Sequence, residues 1–181
     1  MNLFEKNLSQ KIIFRGNIIT LNFDEVELPN GKIATREVVK HPGGVCVAAL
    51  NSNNELLFVR QYRYPYNEVL LELPAGKLSP GEDPLECGKR ELEEETGVKA
   101  GKYVSLGCLY PSPGFCNEII YLYLATNLTS GDMSPDEDEF LEVESIPLEE
   151  AVEMVLSNEI KDAKSQVAIL KVYEKLRRGE I

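Results

Sequence analysis

Three glutamates close together in one predicted helix are the residues best suited to chemistry. Glu91, Glu94 and Glu95 are separated by three and four positions, and residues at those separations are neighbours on a helix surface. Like charges there repel by roughly a few tenths of a kcal/mol per pair, and the C-terminal half of a helix disfavours negative charge. A divalent cation would relieve the repulsion, because Mg²⁺ takes oxygen ligands. The alternative is a solvated acidic face.

The helix that carries these glutamates has clear predicted ends. Asp83 suits the N-cap and Pro84 the first helical position. Glu86, three residues after Asp83, is the expected capping-box partner. Gly97 can adopt the left-handed conformation that ends a helix.

A longer pattern surrounds the helix, because a glycine-flanked loop precedes it and an arginine adjoins the acidic cluster. The stretch resembles the Nudix box, G-x5-E-x7-R-E-U-x-E-E-x-G-U, in which U is an aliphatic residue. Every fixed position matches, at Gly76, Glu82, Arg90, Glu91, Leu92, Glu94, Glu95, Gly97 and Val98. The pattern is long and gapped, so it is far more specific than a short glycine motif, and the chain is identified as a member of the Nudix family.

The resemblance implies an enzyme that hydrolyses nucleoside diphosphates linked to another moiety, with Mg²⁺ as cofactor and Mn²⁺ as an alternative. It implies a metal site formed by Ala75, through its carbonyl, and by Glu91, Glu94 and Glu95, with Glu94 also catalytic. Structural roles are implied for Gly76, Glu82, Arg90 and Gly97, with a salt bridge between Glu82 and Arg90. Bound cations would activate water directly, which agrees with the presence of a single histidine, His41.

Residues after the box narrow the expected substrate. Pro113 lies sixteen residues beyond Gly97, within a Ser-Pro-Gly sequence that leads to Glu118. In the Nudix family this feature marks ADP-ribose pyrophosphatases, and the resemblance to bacterial members of that group covers nearly the whole chain. It implies Mg²⁺-dependent hydrolysis of ADP-ribose to AMP and ribose 5-phosphate. Taken alone, residues 112–114 could equally form an ordinary turn.

The same resemblance supplies candidate substrate contacts. They are Arg36, Arg63, Pro113, Gly114 and Glu118. An arginine beside a phosphate or over an adenine ring is physically reasonable. For Arg36, Arg63 and Glu118, a salt bridge at the surface or at a dimer interface is the alternative.

In similar enzymes the general base is a glutamate on a mobile loop before the last short strand, and the resemblance implies the same position here. Alignment outward from residues 140–143 favours Glu137 as the base, with Glu139 as a metal ligand or alternative base. A purely solvated loop is the competing interpretation. A loop position is compatible with closure on the substrate.

Two other functions remain open. One is a broader nucleoside diphosphate sugar pyrophosphatase that acts, for example, on ADP-glucose. The other is a non-catalytic ADP-ribose sensor, although the intact set of Glu91, Glu94 and Glu95 argues against it.

The composition of the chain limits its partners and location. With 181 residues, 43% hydrophobic and 27% charged, the chain has the size and composition of a globular protein. A net charge of −11 disfavours nucleic acid and anionic lipid as partners. The expected partner, a small nucleoside diphosphate sugar, is implied by the family resemblance. No apolar run approaches the roughly 20 residues needed to span a bilayer, and the first residues lack the apolar stretch of a signal peptide. A cytoplasmic location is therefore expected. The four cysteines form no C-x-x-C pair, which predicts free, largely buried thiols.

Strands mixed with three helices predict an α+β protein with a mixed sheet flanked by helices. The resemblance implies the Nudix fold, an α/β/α sandwich around a mixed β-sheet. Residues 1–43 are predicted as an N-terminal antiparallel segment with a hairpin at Asn30-Gly31, and the resemblance implies that this segment is used for dimerisation. Residues 44–181 would form the Nudix domain, in a homodimer with shared active sites. Further strands are predicted at 45–50, 56–63, 69–73, 103–109, 119–125 and 140–143, and further helices at 148–156 and 162–176.

Overall fold

The computed structural model describes residues 2–135 and 139–181, and within them it contains ten strands and three helices. The strands are β1 (Lys6–Arg15), β2 (Thr20–Glu27), β3 (Ile33–Lys40), β4 (Gly44–Ala49), β5 (Glu55–Arg63), β6 (Glu68–Glu72), β7 (Ala75–Lys77), β8 (Val98–Leu109), β9 (Ile120–Ser130) and β10 (Leu141–Pro147). The helices are α1 (Pro84–Thr96), α2 (Leu148–Leu156) and α3 (Ala163–Arg177). The mixture confirms the predicted α+β class.

The chain divides into two compact units. The first comprises Met1–Gly43 and Tyr110–Ile119, and the second comprises Gly44–Leu109 and Ile120–Ile181. Residues 110–119 therefore group with the N-terminal strands, whereas the predicted second domain included them. The reason is backbone pairing, since Val39 N–H donates to the Phe115 carbonyl at 2.7 Å and Asn117 N–H donates to the Val39 carbonyl at 3.1 Å.

The first unit is built on an antiparallel sheet in the order β1-β2-β3. The predicted hairpin joins β2 to β3, where Leu28 N–H donates to the Lys32 carbonyl at 2.8 Å. Gly31 has a φ of +78° there, a conformation that favours glycine.

The second unit contains a mixed sheet in the order β7-β4-β9-β8 and an antiparallel sheet in the order β10-β5-β6. Strands β4 and β9 run parallel, and the other neighbours of the mixed sheet run antiparallel. The chain passes from β4 to β9 through α1, which is the kind of crossover that parallel strands require.

Helices cover both faces of the mixed sheet. Strand β4 is buried at every position, and its side chains alternate between the two faces. Val45 and Val47 share a hydrophobic cluster with Leu92 of α1, whereas Cys46 shares the other cluster with Ile169 of α3. The predicted α/β/α sandwich is therefore confirmed.

The predicted boundaries are accurate for helices and less so for strands. Helix α2 has the predicted ends, and α3 begins one residue later, because Asp162 serves as its N-cap. Strand β8 begins at Val98 rather than residue 103, and β9 continues to Ser130 rather than residue 125. Residues 98–102 and 126–130 are mostly polar, so only their mutual pairing reveals them as strand.

The cysteines are free thiols, as predicted, with Cys46 and Cys87 buried, although Cys108 is exposed. None of the helices in the described part of the chain combines the length and apolar character needed to cross a membrane.

Candidate metal and substrate site

Helix α1 begins and ends where the sequence places its caps. The Asp83 side chain accepts the N–H groups of Leu85 at 2.9 Å and Glu86 at 3.3 Å. Gly97 ends the helix with a φ of +66°. The capping-box role expected of Glu86 is wrong, because its carboxylate instead accepts a hydrogen bond from Lys89 Nζ at 2.7 Å.

The inner face of α1 contains both apolar and acidic residues. Its buried members are Cys87, Gly88, Glu91, Leu92 and Glu95. Gly88 lets the helix approach β4 closely, since a Cβ at this position would lie 3.1 Å from a Val45 methyl group. This close packing buries the Glu91 and Glu95 carboxylates together with the apolar side chains.

Glu91 lies directly against the backbone of β7. A Cβ at Gly76 would come within 1.9–2.3 Å of the Glu91 carboxyl atoms, so glycine alone leaves room for that carboxylate. Arg90 Nη1 lies 2.9 Å from Glu91 Oε1. Burial nevertheless raises the pKa of Glu91 to about 7, and the charges of Glu94 and Glu139 add to the shift.

Glu95 is the most deeply buried carboxylate of the group, with 2% of the residue exposed. Its Oε2 accepts a hydrogen bond from the Ala75 N–H at 2.9 Å, which brings it beside the residue whose carbonyl is a predicted ligand. Burial raises the pKa of Glu95 to about 8, and the nearby charges of Glu91 and Glu139 contribute. Burial and the negative charge of Glu139 therefore both disfavour the ionised forms of Glu91 and Glu95.

Glu94 has a different environment from Glu91 and Glu95. It is half-buried, and its Oε2 accepts a hydrogen bond from Arg90 Nη1 at 2.8 Å. Arg90 also donates to both oxygens of Glu82, at 3.0 and 3.2 Å, which forms the salt bridge between loop and helix. The hydrogen bond from Arg90, aided by the Ser79 N–H, lowers the pKa of Glu82 to about 2.

The residues present fit a hard divalent cation. The donors are carboxylate and carbonyl oxygens, which Mg²⁺ prefers. The pKa values of Glu91 and Glu95 are raised mainly by burial, which for Glu91 outweighs the nearby charge of Arg90, so a bound cation would stabilise the ionised form of both. Within residues 2–135 and 139–181, no three acidic, cysteine or histidine side chains already surround one point as metal ligands do. In this structure the Glu94 carboxylate is bound by Arg90.

Arg63 lies at the end of β5 in the same unit. Its guanidinium binds the buried carboxylate of Glu72 through Nε at 2.7 Å and Nη2 at 2.8 Å. The Arg63 side chain remains 38% exposed.

The other predicted substrate contacts lie in the first unit. Pro113, Gly114 and Glu118 line one pocket of about 410 Å³, which is within the usual size range of small-molecule sites. Glu118 Oε1 lies 3.3 Å from His41 Nδ1. Arg36 is not among the lining residues of this pocket, and it forms an ion pair with Glu5 at 2.6 Å.

Sequence reasoning missed several residues that line this pocket. Tyr110, Phe115 and Asn117 also contribute to its walls. The two aromatic residues flank the Ser-Pro-Gly sequence in the chain, and that proximity was the available signal. Nothing in the sequence indicated that Val38 of β3 would line the same pocket.

Glu139 lines a separate cleft of about 540 Å³ in the second unit. Arg60, Tyr62 and Phe140 form part of its walls. The sequence analysis did not select Arg60 or Tyr62, although their alternation on β5 places both side chains on one face of the strand. Glu137, the favoured general base, lies outside the described residues.

Two family models match this chain. The model of the NUDIX domain matches residues 40–168, and the model of the nucleoside diphosphate sugar hydrolase N-terminal domain matches residues 5–39. The chain therefore belongs to the Nudix family of hydrolases, as its box predicts.

Individual relatives resemble the chain over most of its length. It is 45% identical over 170 residues to the ADP-ribose pyrophosphatase of Bacillus subtilis (strain 168), covering 93% of this chain and 92% of that protein. It is 42% identical over 167 residues to the methanol dehydrogenase activator of Bacillus methanolicus, covering 91% and 90%. A crystal structure of an ADP compounds hydrolase matches with a TM-score of 0.87 at 23% identity over both complete chains, and this match confirms the fold.

Proposed function

We propose that the protein hydrolyses the pyrophosphate bond of ADP-ribose, in a Mg²⁺-dependent reaction, to AMP and ribose 5-phosphate. The observation that carries the proposal is the pair of buried carboxylates, Glu91 and Glu95, held beside Ala75 and Gly76. The 45% identity to an ADP-ribose pyrophosphatase supports the choice of substrate. Mn²⁺ is the alternative metal.

Each residue of the acidic cluster has an assigned role in this reaction. Glu91, Glu95 and the Ala75 carbonyl would hold the cation, and Glu94 would supply a further carboxylate ligand if released from Arg90. Mg²⁺, when bound, would neutralise phosphoryl oxygens and lower the pKa of water. Glu137 is retained as the base that accepts the proton of the attacking water. Glu139, whose charge acts on Glu91 and Glu95, is the metal ligand or alternative base.

The pocket of the first unit is proposed to bind part of the nucleotide. Tyr110 and Phe115 supply aromatic surface, while Asn117 and Glu118 supply polar groups, a combination typical of small-molecule sites. Pro113 and Gly114 shape the loop between them. Arg36, although paired with Glu5, remains 40% exposed and is retained as a substrate contact.

We also propose that the protein is a cytoplasmic homodimer whose subunits share active sites. Strand β1 is exposed at all ten positions, and Ile12, Ile13 and Phe14 on it are each about half exposed. Contiguous apolar surface of this kind marks interaction sites. We propose that the first unit of a second copy of the chain packs against this surface of β1.

The experiment that tests the function compares hydrolysis of ADP-ribose, ADP-glucose and NAD, with and without Mg²⁺, and identifies the products. Mg²⁺-dependent release of AMP and ribose 5-phosphate, fastest on ADP-ribose, is the expected result. Faster turnover of ADP-glucose would instead favour a broader nucleoside diphosphate sugar pyrophosphatase. Binding of ADP-ribose without turnover of any of the three compounds would favour the sensor.

A further inference from the structure

A buried glutamate holds one of the proposed substrate contacts in place. Glu72 is 1% exposed, and both of its carboxylate oxygens accept hydrogen bonds from Arg63, at 2.7 and 2.8 Å. A bidentate pair of this kind fixes the plane of the guanidinium as well as its position. The pair uses Nε and Nη2, and among residues 2–135 and 139–181 no acceptor bonds to Nη1.

A second cation fixes the glutamate itself. Lys164 Nζ donates to the Glu72 carboxylate and lies 3.0 Å from Asp162 Oδ2. Asp162 is the N-cap of α3, where it also accepts from the Ser165 N–H at 3.0 Å. The Ser165 hydroxyl in turn accepts from the Leu73 N–H at 2.8 Å. A continuous polar network therefore joins β5, β6 and the start of α3.

This network lies next to the acidic cluster. Leu73 is two residues before Ala75, whose N–H donates to Glu95. The pKa of Arg63 is raised mainly by its hydrogen bonds to Glu72 and, in smaller part, by the charge of Glu95. The guanidinium thus lies within the field of the residues that hold the cation in the proposed function.

Stability alone gives little reason to bury such a network. Removing charges from water costs several kcal/mol per ion, and apolar side chains of similar volume often replace buried ion pairs without loss. What a bidentate pair supplies, and an apolar contact does not, is a fixed direction for the guanidinium. The Arg63 side chain is 38% exposed, so it is not sealed off from a ligand.

We propose that Glu72, fixed by Lys164, is a positioning residue for substrate binding. It orients Arg63 so that Nη1 donates to a phosphate oxygen of a nucleoside diphosphate bound at the Glu91–Glu95 site. This inference rests on the proposed function and adds to it the residue that sets the direction of the phosphate contact.

The test compares Glu72→Gln with wild type at saturating Mg²⁺ and pH 7.5, using ADP-ribose as substrate. We expect KM to rise about tenfold, equivalent to losing one well-oriented contact, while kcat changes less than about threefold. A merely structural role would lower thermal stability and the active fraction but leave KM unchanged, because KM does not depend on the amount of active enzyme. An unchanged KM would overturn the proposal.

Glu68→Gln is the matched control. Glu68 also lies on β6, and its carboxylate pairs with Lys161 at 2.6 Å, three residues before Lys164. The substitution removes the same charge and a bridge between the same two segments of the chain, but it leaves the Arg63 pair intact. We expect its KM to match wild type, and an equal rise in KM would show a general effect of charge and overturn the proposal.

A double-mutant cycle with Arg63→Lys tests whether Glu72 acts through Arg63. Lysine keeps the charge but lacks the planar fork, so we expect Arg63→Lys to raise KM and the addition of Glu72→Gln to raise it no further. If the double variant instead raised KM by the product of the two single increases, the proposal would be overturned. If Glu72→Gln does not fold, Glu72→Asp withdraws the carboxylate by one methylene and must also raise KM.

A binding measurement separates failure of this inference from failure of the proposed function. The dissociation constant of ADP-ribose, measured by calorimetry with Mg²⁺, requires no turnover. If wild type binds but does not cleave, the catalytic proposal fails, and the same variants must still weaken binding about tenfold for the inference to hold. Absence of ADP-ribose binding to wild type would overturn both.

Discussion

Neighbouring glutamates of α1 differ in whether a cation already accompanies them. Glu93 faces Lys99, whose Nζ lies 2.9 Å from Glu93 Oε1, and hydrogen bonding to Lys99 lowers the pKa of Glu93. Glu95 is buried, accepts from a backbone N–H, and has its pKa raised to about 8, first by burial. A carboxylate in that position is ionised at neutral pH when a bound cation compensates its charge. The contrast supports the proposed role of Glu95, rather than Glu93, as a metal ligand.

Replacement of Glu95 by Gln should abolish most turnover and spare the fold. We expect kcat for ADP-ribose to fall by about 10³-fold, on the order of 4 kcal/mol of lost transition-state stabilisation. Stability without Mg²⁺ should not fall, because burial already favours the neutral form of Glu95. Steady-state kinetics and thermal melts measure the two effects. Glu93→Gln on the same helix is the control, and wild-type kcat in Glu95→Gln would refute the metal assignment.

Replacement of Gly76 by Ala should displace the Glu91 carboxylate. The new Cβ would lie within 1.9–2.3 Å of it, and the side chain can move more readily than the backbone. We therefore expect Mg²⁺ affinity to fall about tenfold or more, with one ligand misplaced, while thermal stability changes little. Calorimetric titration with Mg²⁺ measures the effect. Gly101→Ala, where the nearest atom is the Asn127 Cβ at 3.2 Å, is the control that should retain affinity.

At the scale of elements, the N-terminus of α3 holds together the strands that lead into the site. Lys164 and Ser165 of the first turn reach Glu72 and the Leu73 N–H respectively. Burial acts to raise the pKa of Glu72, but hydrogen bonds and charges from Arg63 and Lys164 outweigh it and hold the pKa at about 2. The ionised form of Glu72 therefore stabilises the junction of β6 and α3.

This junction predicts a pH-dependent contribution to stability. The folded pKa of Glu72, about 2, lies below the ordinary value of 4.5, so the contribution is complete above pH 4.5 and is lost as pH falls through about 2. A depression of that size corresponds to about 3 kcal/mol. We expect Glu72→Gln to lower the free energy of unfolding by about that amount at pH 7. A typical domain remains folded after such a loss.

Urea titrations at several pH values measure this difference. The gap between wild type and Glu72→Gln should narrow steadily below pH 4.5, because protonated glutamate and glutamine are both neutral. The exposed pair of Glu68 and Lys161 provides a control, since Glu68→Gln should cost less than about 1 kcal/mol. A gap that stays constant down to pH 2 would contradict the role of ionised Glu72.

At the scale of the whole molecule, the first unit has more apolar surface than its own packing uses. Its exposed large apolar side chains include Leu8, Ile12, Ile13, Phe14 and Ile33. A three-stranded sheet with so much of this surface exposed has little core of its own. The homodimer proposed above would remove that surface from water.

We expect the protein to scatter light with twice the mass of the 20.3 kDa chain. Ile12→Glu, which places a charge in the proposed interface, should shift the mass to that of a monomer at micromolar concentration. Leu156→Glu is the matched control, because Leu156 is 68% exposed in the second unit and should leave the dimer intact. A wild-type monomer would contradict the proposed sharing of active sites.

Much of the fold and the core of the site could be predicted from local sequence signals. The Asp83 and Gly97 caps defined α1, the Asn30-Gly31 turn defined the first hairpin, and the spacing of glutamates indicated a metal site. These features depend on interactions within a few residues of the chain, so a single sequence contains the information. The box pattern also indicated the Nudix family, which the family model confirms.

Only the tertiary structure decided the long-range contacts. It paired residues 98–102 with 126–130, grouped residues 110–119 with the N-terminal strands, and assigned Arg63 to Glu72 across a strand pair. It also separated Glu91 and Glu95, which are buried, from Glu94, which binds Arg90. Burial and partner choice depend on which distant segments pack together, and helical spacing alone carries no record of that.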